Sequence, residues 1–211
     1  MMYDLNIKNF RAGAIIAGIA AIILIAFNFI IGKEQFFLLL NNNLGSFADY
    51  FFAAYTYLGD SILWPIVLAI VIFVLKRKDV IALLISCFIV ITLLTQVCKY
   101  IIVPNAPRPI KAIADISLIH TVPGVEMHTI SSFPSGHTAT AFSFYLLFCV
   151  LLKKNWWVTV GFLAALGVGY SRIYLAQHFP IDVGAGIITG IISVAAAIQF
   201  QRYWWKRKVK V

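Results

Sequence analysis

Residues 80–101 read VIALLISCFIVITLLTQVCKYI, and this run decides what kind of chain it sits in. Between Val80 and Cys98 there is no charge, and the first one, Lys99, comes nineteen residues after Val80. A helix that crosses a bilayer needs about 20 mostly apolar residues. At a rise of about 1.5 Å per residue, Lys99 stands about 28 Å from Val80, close to the opposite edge of the hydrocarbon layer.

The rest of the chain agrees. Of 211 residues, 62% are hydrophobic and 12% charged, and the mean hydropathy is +0.92. Soluble domains carry about 45–50% apolar and about 25% charged residues. The composition therefore excludes an ordinary soluble globule. Cys87, Cys98 and Cys149 all fall inside apolar runs. An odd, scattered set gives neither a disulfide framework nor metal-ligand spacing, so they are expected to pack as small hydrophobes. The net charge is +9, but no polar segment carries a basic stripe interleaved with aromatics, so nucleic acid is not an expected partner.

Six apolar stretches predict spans: 11–31, 56–75, 80–101, 136–152, 156–174 and 181–201. They imply an all-α fold, a polytopic bundle of six transmembrane helices forming one domain over residues 1–211. The first stretch is too long for a signal peptide and lacks a small-residue cleavage site, so it reads as an uncleaved helix. Residues 33–55, more polar in the middle, read as an interfacial helix on the outer surface. With the N-terminus inside, twelve of the seventeen Lys and Arg fall on cytoplasmic segments: Lys8, Arg11, Lys76–Lys78, Lys153, Lys154, Arg202, Lys206–Lys208 and Lys210. That bias places both termini in the cytoplasm. Trp156, Trp157, Trp204 and Trp205 beside these clusters fit an interfacial aromatic belt.

The remaining cations then become informative. His137 precedes Lys153 by sixteen residues, about 24 Å of helix. Arg172 follows Asn155 by seventeen, about 26 Å. Asp182 precedes Arg202 by twenty, about 30 Å. With Lys99, these four positions fall in one plane at the outer face. Three polar segments carry them: KYIIVPNAPRP (99–109), FPSGHT (133–138) and SRIYLAQHFPID (171–182). Three cations, two histidines and a carboxylate suit a multi-oxygen anion, of which phosphate is the commonest. Arg108 and Arg172 offer forked donors and Lys99 a mobile point charge. Ser135 offers a hydroxyl, and Gly136 opens a helix start whose free N–H groups favour an anion. A neutral His178 is suited to attack phosphorus, with Asp182 four residues on fixing its tautomer. His137 is then the general acid for the leaving oxygen. The set requires neither metal nor cofactor. His120, Glu126 and His128 in the outer loop are expected to be solvated polarity and not a metal cluster, and Asp60 an interfacial carboxylate. Asn41–Asn43 mark a turn.

These residues closely resemble the type-2 phosphatidic acid phosphatase superfamily, which includes lipid phosphate phosphatases and, more distantly, vanadium haloperoxidases. The family pattern is Lys-x6-Arg-Pro, Pro-Ser-Gly-His and Ser-Arg-x5-His-x3-Asp. Here Pro134–His137 match the second motif, and Ser171, Arg172, His178 and Asp182 match the third in full. The first departs, with eight residues between Lys99 and Arg108. The resemblance implies six helices, an outward-facing site and a phosphohistidine intermediate on His178. The expected function is hydrolysis of a lipid phosphate or diphosphate at a bacterial inner membrane, on the periplasmic side. Undecaprenyl diphosphate, lipid A, phosphatidylglycerophosphate and phosphatidic acid all remain open as substrates. Two alternatives stand beside it: phosphotransfer from a polyprenyl diphosphate to another lipid, and non-enzymatic binding or transport of a lipid phosphate.

Overall fold

The computed structural model describes residues 4–208, and among them the regular structure is helical, with no strand. Lys210, one of the cations expected on the cytoplasmic side, lies outside the described residues. Nine helices follow in order: α1 (Ile7–Ile31), α2 (Lys33–Leu40), α3 (Ser46–Tyr55), α4 (Trp64–Ala69), α5 (Ile81–Val97), α6 (Pro109–Ala112), α7 (Gly136–Leu151), α8 (Trp156–Tyr174) and α9 (Pro180–Lys208). Single π-turns extend α4 through Ile70–Val74 and α5 through Cys98–Ile102.

Among the described residues, three helical stretches suffice by length and composition to cross a membrane, Ile7–Ile31, Lys78–Ile102 and Pro180–Arg207; α8, expected to span at 156–174, is not one of them. With its apolar helices, the chain is a membrane protein. α7 is apolar but shorter, at 16 residues. The stretch expected to span at 56–75 departs most from its reading. It enters through the 3-10 turns Thr56–Gly59 and Ser61–Leu63. It reaches spanning length only as the pair Ser46–Gly59 and Ser61–Val74, bent by 55°. The physical cause sits at the bend. Asp60 is extended, its carboxylate accepts from the Ile62 N–H, and a Cβ on Gly59 would lie 2.6 Å from the His137 carbonyl. Nor is 33–55 one interfacial helix. Residues 41–45 divide it, with Gly45 at φ +91°, and the turn expected at Asn41–Asn43 falls there.

α7 is the centre. Thirteen of its sixteen residues are buried, as expected for a helix that is apolar all round. It packs on α1, α8 and α9. Small residues let these backbones close up, the usual device of membrane helices. On α1, Gly13, Ala17 and Ala21 recur every four residues and are buried. On α9, Gly186 and Gly190 do the same against α7. An added Cβ would lie 2.7 Å from the Ser135 carbonyl at Gly186 and 3.0 Å from that of Ala139 at Gly190. Large side chains such as Ile15, Ile22, Phe29 and Ile30 on α1 point outward, toward the bilayer in this reading.

The long segment after α5 packs on this bundle. Ile113 and Ile119 join Phe37, Ile173, Phe179 and Val183 in a second buried cluster over the α8–α9 connection. Arg108 N–H donates to Thr129 O at 2.9 Å and Ser132 N–H to Ala106 O at 3.0 Å. That pairing returns the chain to the start of α7.

Replacing Gly186 with Val forces the Ser135 backbone away and is expected to destabilise the protein by about 1–3 kcal/mol or to prevent folding. Gly18→Ala, which meets nothing within 4 Å, is expected to be neutral or stabilising. Thermal unfolding in detergent distinguishes the two; equal effects would refute the close-packing argument.

Candidate functional site

The site is assembled from chain segments that meet where α7 and α9 begin. Ser135 caps α7, accepting from the Thr138 N–H at 3.4 Å and the Thr138 hydroxyl at 2.8 Å. Its own N–H donates to Asp182 O at 3.0 Å, which ties the two helix starts together. α9 opens with Pro180, whose missing N–H costs nothing in a first turn. Asp182, two residues on, accepts from the Phe179 N–H at 2.9 Å. This is the backward half of a capping box, with the carboxylate also near the positive end of the helix dipole.

His178 sits in the connection just before α9 and is 2% exposed. Its Nδ1 lies 3.6 Å from Asp182 Oδ2 and 3.5 Å from Ser132 Oγ. The expected His178–Asp182 pairing is present as proximity, with the serine hydroxyl beside both. Burial pushes the His178 imidazole down to about 3, against the pull of Asp182. The ring is thus neutral at neutral pH, the state a nucleophilic imidazole needs.

The cations surround this pair. Arg108 is 7% exposed. Its Nε donates to Ile130 O at 3.0 Å and its Nη1 to Gln177 O and Oε1 at 3.1 and 2.9 Å. Arg172, also 7% exposed, donates from Nη1 to Thr56 Oγ1 at 2.7 Å, while its buried Nε has no partner. Lys99 rides the π-turn that ends α5, a kind of turn common at functional sites. Among the described residues, none of the three forms an ion pair with a carboxylate within 4.0 Å. Buried cations held only by neutral partners are costly unless an anion joins them.

Three cavities converge here. One of about 580 Å³ is lined by Asp60, Lys99, Gly136 and His137 and runs on to Trp64 and Phe88. A second, of about 440 Å³, is lined by Lys99, Arg108 and His128. A third, of about 660 Å³, is lined by Tyr57, Glu126, His137, Arg172 and Gln177. Lys99 borders the first two and His137 the first and third, so both stand at the junction. The eight-residue spacing after Lys99 therefore does not separate it from Arg108, because the π-turn and the loop 103–107 absorb the extra length. The sequence-derived residues Lys99, Arg108, Ser135, Gly136, His137, Arg172, His178 and Asp182 all fall in one region.

Other residues went unread. Ser132 is 1% exposed and donates to Asp182 Oδ2; it directly precedes FPSGHT, and that adjacency was the available signal. Gln177 holds Arg108 and borders His178 in sequence. Thr56 holds Arg172 from 116 residues away, and nothing in its local sequence marks it. The loop trio separates: His120 Nε2 contacts Asp49 Oδ1 at 2.9 Å, while His128 Nδ1 lies 3.8 Å from Glu126 Oε1. Asn41 is structural, its side-chain amide donating to the carbonyls of Ile173 and Tyr174 and its oxygen accepting from the His120 N–H.

A membrane protein with two buried guanidinium groups that lack a carboxylate, a buried His178 beside them and His137 lining the cavities is built to act on an oxyanion. Comparison with known proteins gives the family. The sequence profile of the PAP2 superfamily matches residues 80–206, and the chain belongs to that superfamily, as an enzyme of its phosphatase type. It is 29% identical over 165 residues to the lipid A 4'-phosphatase of Bacteroides thetaiotaomicron, covering 74% of this chain and 71% of that one. It is 33% identical over 133 residues to the undecaprenyl-diphosphatase of Sulfolobus acidocaldarius, covering 63% and 60%. The crystal structure of Aquifex aeolicus LpxE superposes with a TM-score of 0.66 at 31% identity, covering 79% of this chain and 94% of that one.

The state of His178 has a pH consequence. Its folded pKa lies below the ordinary value of 6.5, so between the two the unfolded chain binds a proton that the folded one does not. Stability then falls as pH drops from 6.5 toward 3. His178→Asn is expected to flatten that fall. Thermal unfolding from pH 7 to pH 4 measures it; an unchanged slope would contradict a buried neutral ring.

Proposed function

We propose that this protein is a lipid phosphatase that hydrolyses a lipid phosphate or diphosphate at the outer face of a bacterial inner membrane. In this reading the chain is one PAP2-like domain over residues 1–211, with six spans. Both termini are cytoplasmic, and the bent pair around Asp60 and the short helix α7 each serve as one span. The observation that carries the reading is the pair of buried guanidinium groups of Arg108 and Arg172, which have no carboxylate partner beside a neutral His178. A tetrahedral phosphoryl group supplies the missing charge.

The reaction has two steps. His178 attacks phosphorus through Nε2, the bond from phosphorus to the leaving oxygen breaks, and His137 gives that oxygen its proton. A water then attacks the phosphohistidine, His137 takes a proton from it, the P–N bond breaks, and inorganic phosphate leaves. Arg108, Arg172 and Lys99, with Ser135 and the N–H groups at the start of α7, meet the charge on the transferring oxygens. Asp182 fixes the tautomer of His178 and stabilises its charged form.

The lipid class is supported by the shape of the first cavity, the approach to His137 that Lys99 also lines. It shares Ser61, Ile62, Trp64 and Phe88 with an apolar one of about 390 Å³ lined also by Leu68, Leu84 and Ile85. A hydrocarbon chain lying between α4 and α5 would leave its phosphate at Lys99 and His137. Relatives that carry lipid A and undecaprenyl diphosphate in their names make these two the first substrates to test.

Purified protein is expected to release inorganic phosphate from at least one of lipid A, undecaprenyl diphosphate, phosphatidylglycerophosphate and phosphatidic acid, with and without a chelator. His178→Ala and His137→Ala are each expected to lose phosphate release by about 10³-fold or more while folding normally. Full activity in either variant would refute the mechanism. Label transferred from lipid to a second lipid, and not to water, would replace hydrolysis with phosphotransfer.

A further inference from the structure

Asp182 Oδ2 is shared. It accepts from the Phe179 N–H at 2.9 Å and from the Ser132 hydroxyl. His178 Nδ1 lies further from it, at 3.6 Å. Ser132 Oγ lies 3.5 Å from the same nitrogen. A serine hydroxyl has one proton to give and lone pairs to receive with. Since its proton goes to the carboxylate, its oxygen is left as an acceptor facing the imidazole. The group next to His178 Nδ1 is therefore an acceptor on either count, and the ring proton belongs on Nδ1.

We infer that Ser132 is a positioning residue for the nucleophile, completing a chain from His178 Nδ1–H to Ser132 Oγ and from Ser132 Oγ–H to Asp182 Oδ2. The chain holds the imidazole in the tautomer with the lone pair on Nε2, so that the nitrogen available to phosphorus is the unprotonated one. It rests on the reading of His178 as nucleophile and adds a residue to that reading.

The backbone around Ser132 is arranged to put it there. Its N–H donates to Ala106 O at 3.0 Å, and two residues on from Ala106 and three back from Ser132, Arg108 N–H donates to Thr129 O at 2.9 Å. One short pairing thus delivers a phosphate-binding arginine and the serine together. The preceding residue, Ser131, has φ +58°, a left-handed conformation that a non-glycine residue adopts at a cost. The hydroxyl lies in a setting with 1% exposure at the serine and 2% at both His178 and Asp182. Water has little room to replace it, so removing it leaves a gap beside the imidazole.

The substitutions Ser132→Ala, Ser132→Cys and Ser132→Thr separate positioning from packing. The alanine keeps the volume small and removes the hydroxyl; the cysteine keeps the shape with a weak donor; the threonine restores the hydroxyl. With a lipid phosphate that the wild-type protein hydrolyses, Ser132→Ala and Ser132→Cys are expected to lower kcat by about tenfold to a hundredfold, the size of losing one hydrogen bond to a charged group. KM should stay within about threefold, because the cations that bind phosphate are untouched. Ser132→Thr should recover most of kcat. Wild-type kcat in the cysteine variant, or a loss confined to KM, would overturn the inference while leaving the phosphatase function intact. If alanine and cysteine variants both fail to fold, a threonine variant that folds but has lost kcat equally overturns it. A wild-type protein that releases no phosphate from any lipid overturns the function itself, and this inference with it.

Discussion

The end of the bundle where α7 and α9 begin answers one electrostatic constraint: two guanidinium groups, each 7% exposed, with no carboxylate within ion-pair distance. An interior charge without a counter-charge costs several kcal/mol even after relaxation. The structure limits that cost with neutral oxygens, from Gln177 and Ile130 for Arg108 and from Thr56 for Arg172. It leaves Arg172 Nε without any. Asp182, the acid whose field reaches Arg108, is committed to Ser132, to the Phe179 N–H and to the neighbourhood of His178. The positive field stays open for a phosphoryl group, which would be both substrate and missing counter-ion.

Such a field is useful only if it is rigid, and rigidity here comes from small residues. Gly186 and Gly190 bring α9 against the carbonyls of Ser135 and Ala139, and Ser135 N–H closes the contact onto Asp182 O. Packing of two apolar helices thereby sets the relation between the segment bearing His137 and the segment bearing His178 and Asp182. Gly59 performs a related service from the third side, letting the bend before α4 reach the His137 carbonyl. Beside the helix broken by 55° at that point lies an opening between α4 and α5. The same bend turns the residues after Asp60 into an apolar lining that leads to the polar junction.

The sequence was legible wherever the signal was local or periodic. Long uncharged runs gave the helices, because a backbone in lipid must satisfy its own hydrogen bonds. α8 begins and ends where its run predicts, while α1 and α9 run on past theirs. That Lys99, His137, Arg172 and Asp182 belong to one end of the bundle followed from counting along helices of fixed rise. Pro180 and Asp182 could be placed at a helix start from residue type alone, and both are there. In contrast, Thr56 and Gln177 looked like ordinary polar residues, because what they do depends on a guanidinium delivered from elsewhere in the chain.

By itself, then, the sequence determined an all-helical membrane chain and the set of chemical groups at one of its ends, since composition, helical rise and capping act over a few residues at a time. Only the tertiary structure decided that α5 could overrun into a π-turn and still bring Lys99 beside Arg108, that the helix before Trp64 is broken, and that Ser132 stands between His178 and Asp182. Those outcomes come from backbones touching at glycine and from hydrogen bonds between residues tens of positions apart, and no window along the chain contains both partners.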